Sequence, residues 1–301
     1  MVLNGADGYV IRRMERPELD TALEWAKAEG WNPGQRDAEC FWAADPCGYF
    51  VGLLEGRLIA CISAVGYSSD EVIGGKAPAF GFIGLYLVRP EMRGRGYGLR
   101  LWNAALAQIH APVLGLDGVP AQQENYRKSG FALALRNCRY QGMSDAVGMR
   151  GSGATLPGVR PLELFPFGEV LELDRRCFPA RREEFVRAWV SAPGHVALGL
   201  ERAGRLAGYG VIRPCAVGHK IGPLFAQDDD AAHDLFHSLC ASIPATSGPV
   251  FLDVPMSHAG AVALAEAHAM RPVFETARMY RGPAPDSDLG RVFGVSTFEL
   301  G

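Results

Sequence analysis

Three glycines at alternate positions, Gly94, Gly96 and Gly98, follow an apolar run and precede an amphipathic one. They close the stretch Val88-Arg89-Pro90-Glu91-Met92-Arg93-Gly94-Arg95-Gly96-Tyr97-Gly98, which reads as a strand-to-helix turn. Such a turn can hold an anion. Glycines let backbone N–H groups converge with no side chain in the way, and a helix start leaves amides unpaired beside a partial positive charge. Residues 89–100 carry four arginines and one glutamate, a local surplus of positive charge in a chain whose net charge is −3. A diphosphate suits this arrangement. The NTPase pattern GxxxxGK[ST] is absent, because neither Lys-Ser nor Lys-Thr follows the glycines. The dinucleotide pattern GxGxxG also fails, since Leu99 stands where its third glycine belongs.

The elements that must position this turn follow from periodicity. Helices are predicted over 18–29 and 37–44, then strands over 49–54 and 58–65 with Gly56-Arg57 turning the hairpin between them. The strand over 80–88 is apolar on both faces, Phe80, Phe82, Tyr86 and Val88 against Ile83, Leu85 and Leu87. Apolar residues on both faces mark a central strand covered from two sides. Trp102, Ala105, Leu106 and Ile109 recur at i, i+3, i+4 and i+7, which predicts an amphipathic helix over 99–110 and then a strand over 113–116.

The chain repeats itself. Ile11-Arg12-Arg13-Met14-Glu15 falls on Val159-Arg160-Pro161-Leu162-Glu163, and the same displacement lays Gly56-Arg57-Leu58 on Gly204-Arg205-Leu206. With a shorter loop in the second copy, Ile83-Gly84 falls on Ile221-Gly222, Pro112-Val113 on Pro249-Val250, and Tyr140-x-Gly142 on Tyr280-x-Gly282. Matches in one order across the chain imply a duplicated α/β unit. The expected units are 1–150 and 155–301, with the seam at Gly151-Ser152-Gly153, and 301 residues suit two domains.

Composition removes several classes. Apolar residues make up 48% and charged residues 21%, a folded globular balance that excludes wholesale disorder. A net charge of −3 argues against nucleic acid as a partner. No targeting pattern opens the chain and no run reaches ~18 apolar residues, so no membrane partner is expected. Seven cysteines without a CxxC pair fit a reducing, cytoplasmic location. His233 and His237 flank Asp234 but lack a third ligand, so no metal is expected.

Val88-x-Pro90-x-x-Arg93-Gly94-x-Gly96-x-Gly98 resembles the acyl-CoA pyrophosphate signature (Q/R)xxGx(G/A) of the GNAT superfamily of N-acetyltransferases. Further on, Tyr126-Arg127-Lys128-Ser129-Gly130-Phe131 resembles the superfamily's second signature, YxxxGF on a helix. The closing stretches 278–282 and 293–301 resemble tandem GNAT proteins with an atypical second domain. The resemblance implies an α/β (α+β) fold class, two tandem GNAT-like acyl-CoA N-acyltransferase folds, each a mixed central sheet flanked by helices. It implies acetyl-CoA as cosubstrate, with main-chain groups of Leu87 and Val88 on the pantetheine. Arg93, Gly94, Arg95, Gly96, Tyr97 and Gly98 would hold the diphosphate. Tyr126 would return a proton to the thiolate, coherent with a phenol pKa of ~10. Val119 stands where the family often has an asparagine seven positions before that tyrosine.

An amine acceptor must lose a proton before attack, which asks for a carboxylate. The central strand presents Phe80, Phe82 and Tyr86 where relatives often carry an acid. The remaining candidates are Glu29 and Asp37, flanking Gly30-Trp31-Asn32-Pro33-Gly34, and Asp117 after the strand over 113–116, with Asp253 at the matching place in the second copy. Trp31 would stack on an acceptor or fill the core. In the second copy, Gln227 to Ser238 carries four aspartates and no arginine where the phosphate loop should be, and Ala265 aligns with Tyr126. The second copy is therefore expected to be a degenerate, non-catalytic domain that shapes the acceptor pocket. The expected activity is N-acetyl transfer to a primary amine of a small molecule, or of a protein amino terminus or lysine, the alternative being a silent acyl-CoA-binding sensor. Residues 291–300 alternate imperfectly and predict a closing strand that extends a sheet across the seam.

Overall fold

The computed structural model describes residues 2–5, 7–67, 79–144 and 156–301. The expected seam at 151–153 lies outside them. The first copy runs β1 (Val2–Asn4), β2 (Tyr9–Arg13), α1 (Arg16–Ala28), α2 (Asp37–Ala44), β3 (Tyr49–Leu54), β4 (Arg57–Tyr67), β5 (Phe80–Val88), α3 (Tyr97–Leu106), β6 (Val113–Gly118), α4 (Gln123–Lys128) and β7 (Ala132–Met143). The second repeats the order as β8 (Val159–Pro161), α5 (Phe167–Cys177), α6 (Glu183–Ser191), β9 (Val196–Arg202), β10 (Arg205–Pro214), β11 (His219–Ala226), α7 (Asp229–Ala241), β12 (Pro249–Pro255), α8 (Ala259–Ala267) and β13 (Arg271–Arg281). A short β14 (Val292–Gly294) follows, outside the repeat.

Local chemistry sets these boundaries. At the start of α1, Glu15 and Glu18 form a capping box and Pro17 occupies the first turn, where its missing N–H is no loss. That helix buries Leu19, Ala22, Leu23 and Ala26, spaced to face one side. Helix α3 buries Leu101, Trp102, Ala104 and Ala105. It stops at Leu106, short of the predicted residue 110, and the chain turns before β6 begins at Val113.

All the strands join one mixed sheet in the order β1-β2-β3-β4-β5-β6-β13-β7-β12-β11-β10-β9-β8, with β14 on β11. The halves exchange their closing strands: β13 pairs with β6 of the first copy and β7 with β12 of the second, while β7 and β13 pair with each other. Neither half therefore closes its sheet from its own residues. Parallel pairing occurs at two equivalent places, β5 with β6 and β11 with β12.

One apolar core crosses the halves. Phe41 of α2 stacks on Trp189 of α6 at 6.3 Å between ring centroids, and the Trp189 indole N–H donates to the Gly222 carbonyl at 2.8 Å. Each such side chain stabilises by about 1.5–3 kcal/mol on burial. Ion pairs reinforce the seam. Arg139 of β7 grips Asp253 of β12 through two bonds of 2.6 and 2.8 Å, Arg213 of β10 donates to Asp37 at 3.0 Å, and Arg278 of β13 grips Asp117 of β6 at 2.8 and 2.6 Å.

The predicted closing strand over 291–300 is confined to β14. It pairs with β11, Leu224 opposite Gly294 and Phe225 opposite Val292, inside its own half. Residues 295–301 then leave the sheet and turn, with the Gly301 N–H donating to the Thr297 carbonyl at 3.1 Å. Alternation fails there because both faces are buried, one side chain after another from Val295 to Leu300. What crosses the seam is β7, β13 and this irregular tail.

Candidate active site

The central strand β5 is bulged where it matters. Cys61 of β4 faces Leu87 and Ser63 faces Gly84, so β5 holds one residue more than its partner, and Leu85 adopts a left-handed φ of 45°. On its other side β5 pairs with β6 only from Phe80 to Ile83. Beyond Ile83 the strands part, and the wedge between them opens a cavity of about 490 Å³. Backbone groups of Gly84 to Leu87 on this side have no strand beside them, which leaves donors and acceptors for a bound chain, while the Val88 carbonyl is taken by Arg93.

The glycine turn stands at one end of that cavity. Gly94 and Gly96 have φ of 76° and 85°, a region that a side chain would strain, and open space surrounds the place of each missing Cβ. Gly98 is needed for another reason, since a Cβ there would come within 2.6 Å of the Tyr86 hydroxyl. Gly96 caps α3 without any side-chain bond, so the first-turn amides await an acceptor. Arg93 donates to the Val88 carbonyl at 2.9 Å and pairs with Glu29. Of the residues expected to hold the cosubstrate, Leu87, Val88, Arg93, Gly94, Gly96 and Gly98 border the cavity. Arg95 and Tyr97 do not; Arg95 is exposed, and Tyr97 packs on Tyr9 at 4.8 Å between ring centroids.

Tyr126, on α4, borders the same cavity. Its ring lies 5.4 Å from that of Trp102, and it fills the space over Gly118, where a Cβ would approach within 2.3 Å. Burial, with a smaller contribution from Tyr86, pushes the phenol well above its ordinary value, so the hydroxyl keeps its proton at neutral pH.

The predicted carboxylates are all engaged by arginine. Glu29 stands at the cavity mouth, paired with Arg93. Asp117 borders the cavity, but one oxygen accepts from Asn137 and Arg278 and the other from Arg278. Burial raises the Asp117 carboxyl against the pull of Arg278 and Asn137. Asp37 lies off the cavity, buried, accepting from the Gly34 N–H and from Arg213. Burial opposes its ionisation, yet Arg213 and Lys220 outweigh that and hold the carboxyl below its ordinary value. Asp253 is held down in the same way, burial being overcome by Arg139. Trp31 does border the cavity, together with Arg139, Phe274 and Phe298 from the seam.

One carboxylate was invisible to motif reading. Glu299, in the tail that follows β14, reaches the cavity of the first copy. A usable signal was present: internal matching ends at Gly282, so residues 283–301 have no counterpart in the first copy and need their own explanation.

The equivalent cleft of the second copy is built differently. β11 pairs with β12 only through His219–Ile221, so these strands also part, but β14 lies on the freed edge of β11 and the Val295 N–H donates to the Asp253 carbonyl of β12 at 2.9 Å. The chain's own backbone fills that wedge. At the head of α7, Asp228 caps the helix by accepting from the Ala231 N–H at 2.8 Å, and Arg202 holds the aspartate at 2.8 Å. Among the described residues no group of three or more His, Cys, Asp or Glu is arranged to hold a metal ion, and no helix is long and apolar enough to cross a membrane.

Two acetyltransferase sequence models match the chain in succession, the acetyltransferase (GNAT) family over residues 16–131 and an acetyltransferase (GNAT) domain over residues 170–294. The chain belongs to the GNAT superfamily of acyltransferases, with two such domains in tandem. It is 29% identical over 285 residues to holothin acyltransferase of a Pseudoalteromonas strain, covering 94% of this chain and 92% of that protein. In fold it is similar to a putative acetyltransferase from Pyrococcus horikoshii, with a TM-score of 0.80 at 20% identity over 99% of this chain and 97% of the other. A tandem GNAT protein from the clavulanic acid biosynthesis pathway aligns with a TM-score of 0.61 at 15% identity, over 92% of this chain and 99% of that one.

Proposed function

We propose that this acyltransferase moves the acetyl group of acetyl-CoA to the primary amine of a small molecule, by direct attack in the first copy, while the second copy is catalytically silent. The observation that carries the reading is the uncapped head of α3, with Gly94 and Gly96 at positive φ, at the end of a wedge that runs past Tyr126. The fit to coenzyme A is chemical. Free amides and Arg93 suit a diphosphate, and the unpaired side of β5 suits the amides of a pantetheine chain.

When bound, acetyl-CoA supplies the thioester carbonyl that the amine attacks. The chain's own residues orient and protonate. The freed backbone of Gly84 to Leu87 aligns an extended chain, as an added strand would be aligned. Tyr126, kept protonated by burial, donates to the departing sulfur. The walls from Trp31, Phe274 and Phe298 favour an acceptor small enough for the part of the cavity that acetyl-CoA leaves free over a protein terminus or lysine. The similarity to holothin acyltransferase along nearly the whole chain supports the same preference.

The test is binding followed by turnover. Acetyl-CoA at 100 times its Kd should stabilise the fold by about 2.7 kcal/mol, and Arg93→Glu should remove that gain. A screen of amines by free-thiol release, with Tyr126→Phe in parallel, then separates an enzyme from a sensor. Binding with no transfer to any amine would favour the sensor.

A further inference from the structure

We propose that Glu299, delivered from the far end of the second copy, is the base that takes the proton from the acceptor's ammonium group in the first copy's cavity. This rests on the direct-attack reading above. Four observations converge on it.

The tail that carries Glu299 is fixed against the bulge of β5. The Glu299 carbonyl sits where a side chain on Gly84 would be, 2.0 Å from the place of its Cβ, so Gly84 must be glycine for the tail to dock. Tyr67 donates to the Leu300 carbonyl at 3.0 Å, and Arg182 donates to the Gly301 carbonyl at 2.9 Å and to the Ser296 hydroxyl at 2.8 Å. These bonds anchor residues on both sides of Glu299, which is what a positioned base requires.

The Glu299 side chain is nearly inaccessible to solvent, 4% exposed as a residue, yet it borders the same cavity as Tyr126. Its carboxylate accepts from the Thr297 hydroxyl, which in turn accepts from the Glu299 N–H. Among the described residues it forms no ion pair, whereas Glu29, Asp117, Asp37 and Asp253 each bind an arginine. Arg139 and Arg213 lie near enough for their charges to act on it; Arg139 is held by Asp253, whereas Arg213 donates to Asp37 through Nε alone and its two other nitrogens find no hydrogen-bond partner among the described residues.

A buried carboxylate with acceptor capacity to spare and no ion pair of its own among the described residues can take a positive partner. An alkylammonium entering the cavity beside Trp31 supplies one, the Phe274 and Phe298 rings being covered by the Arg139 guanidinium at 5.6 and 5.1 Å from their centroids. The proton balance closes. Glu299 takes one proton from the ammonium and passes it to solvent. The amine nitrogen then forms the C–N bond as the C–S bond breaks, Tyr126 protonates the sulfur, and the nitrogen's second surplus proton leaves to solvent, which returns one proton to Tyr126. One amide, one thiol and one free proton result.

The experiment compares benzylamine, which is protonated at neutral pH, with aniline, which is not. Thiol release from acetyl-CoA is measured for the wild type, Glu299→Gln and Glu299→Asp, with acetyl-CoA binding followed by thermal shift. The expected result is an unchanged binding gain in Glu299→Gln, a loss of roughly 100-fold or more with benzylamine, a loss of less than about tenfold with aniline, and partial rescue by Glu299→Asp. Equal losses with both amines, no loss with either, or a wild type that does not acetylate benzylamine would overturn the assignment. If instead the wild type shows no binding gain with acetyl-CoA, the underlying reading fails, and Glu299 fails with it.

Discussion

The two clefts of this duplicated chain start from the same plan and end as opposites. In each, a central strand pairs in parallel with its neighbour for a few residues and then parts from it. The first wedge is left open, and the helix at its head is capped by a glycine with no side chain to offer. The second is filled by β14, and its helix is capped by Asp228. The difference teaches that an open wedge of this kind is a set of backbone groups left unpaired. It can be closed without changing the fold, by supplying the missing strand and the missing cap from the chain itself. The segment that fills the second cleft then continues into the first, so the second copy contributes to the first copy's cavity.

The strongest way to break this comparison is to break the seam that makes the halves one body. Asp253→Ala strands Arg139 in a dry core and should destabilise the protein by about 3–5 kcal/mol. Because β7 and β13 are exchanged, urea unfolding should stay a single transition seen alike by fluorescence and circular dichroism. Two separated transitions would mean that the halves fold alone. The same pairs set an acid limit. Asp37 and Asp253 have depressed pKa values in the folded state, so their contribution is full above the unfolded value of ~4 and is lost as pH falls through the folded values. Stability should therefore drop below about pH 4, and a urea midpoint that does not fall there would contradict it.

Next in size is the transplant of the second cleft's cap into the first. Gly96→Asp places a side chain at a φ of 85° and a carboxylate where the diphosphate is expected. Acetyl-CoA affinity should fall by roughly 100-fold or more, about 2.7 kcal/mol, measured by calorimetry. Tyr126→Phe should leave that affinity intact and lower kcat by about 100-fold. An equal loss in both would make Tyr126 a packing residue. The smallest effect is expected from the reverse change. Asp228→Ala should cost about 1 kcal/mol of stability and leave acetyl-CoA binding untouched.

Sequence reading reached those features that local pattern encodes. The bounds of α2, β3 and β5 match expectation, because alternation and helical spacing are written within a few residues. The glycine turn was legible too, since a side chain would be strained at the φ of 76° and 85° that Gly94 and Gly96 adopt. Carboxylate roles were not. Asp37 and Asp117 looked free as sequence, yet their partners Arg213 and Arg278 lie on the other copy, Arg278 brought by the exchanged β13 and Arg213 by the packing of β10 against α2, and no local window contains either pair. Glu299 was hidden for the same reason: its neighbour Gly84 is more than two hundred positions away in the chain, and it belongs to a stretch outside the repeat.

Calorimetric titration with acetyl-CoA tests the asymmetry most directly. One site per chain is predicted for the wild type and for Asp228→Ala, and none for Arg93→Glu. Two sites per chain, or binding that survives Arg93→Glu undiminished, would contradict the assignment of acyl-CoA to the first cleft.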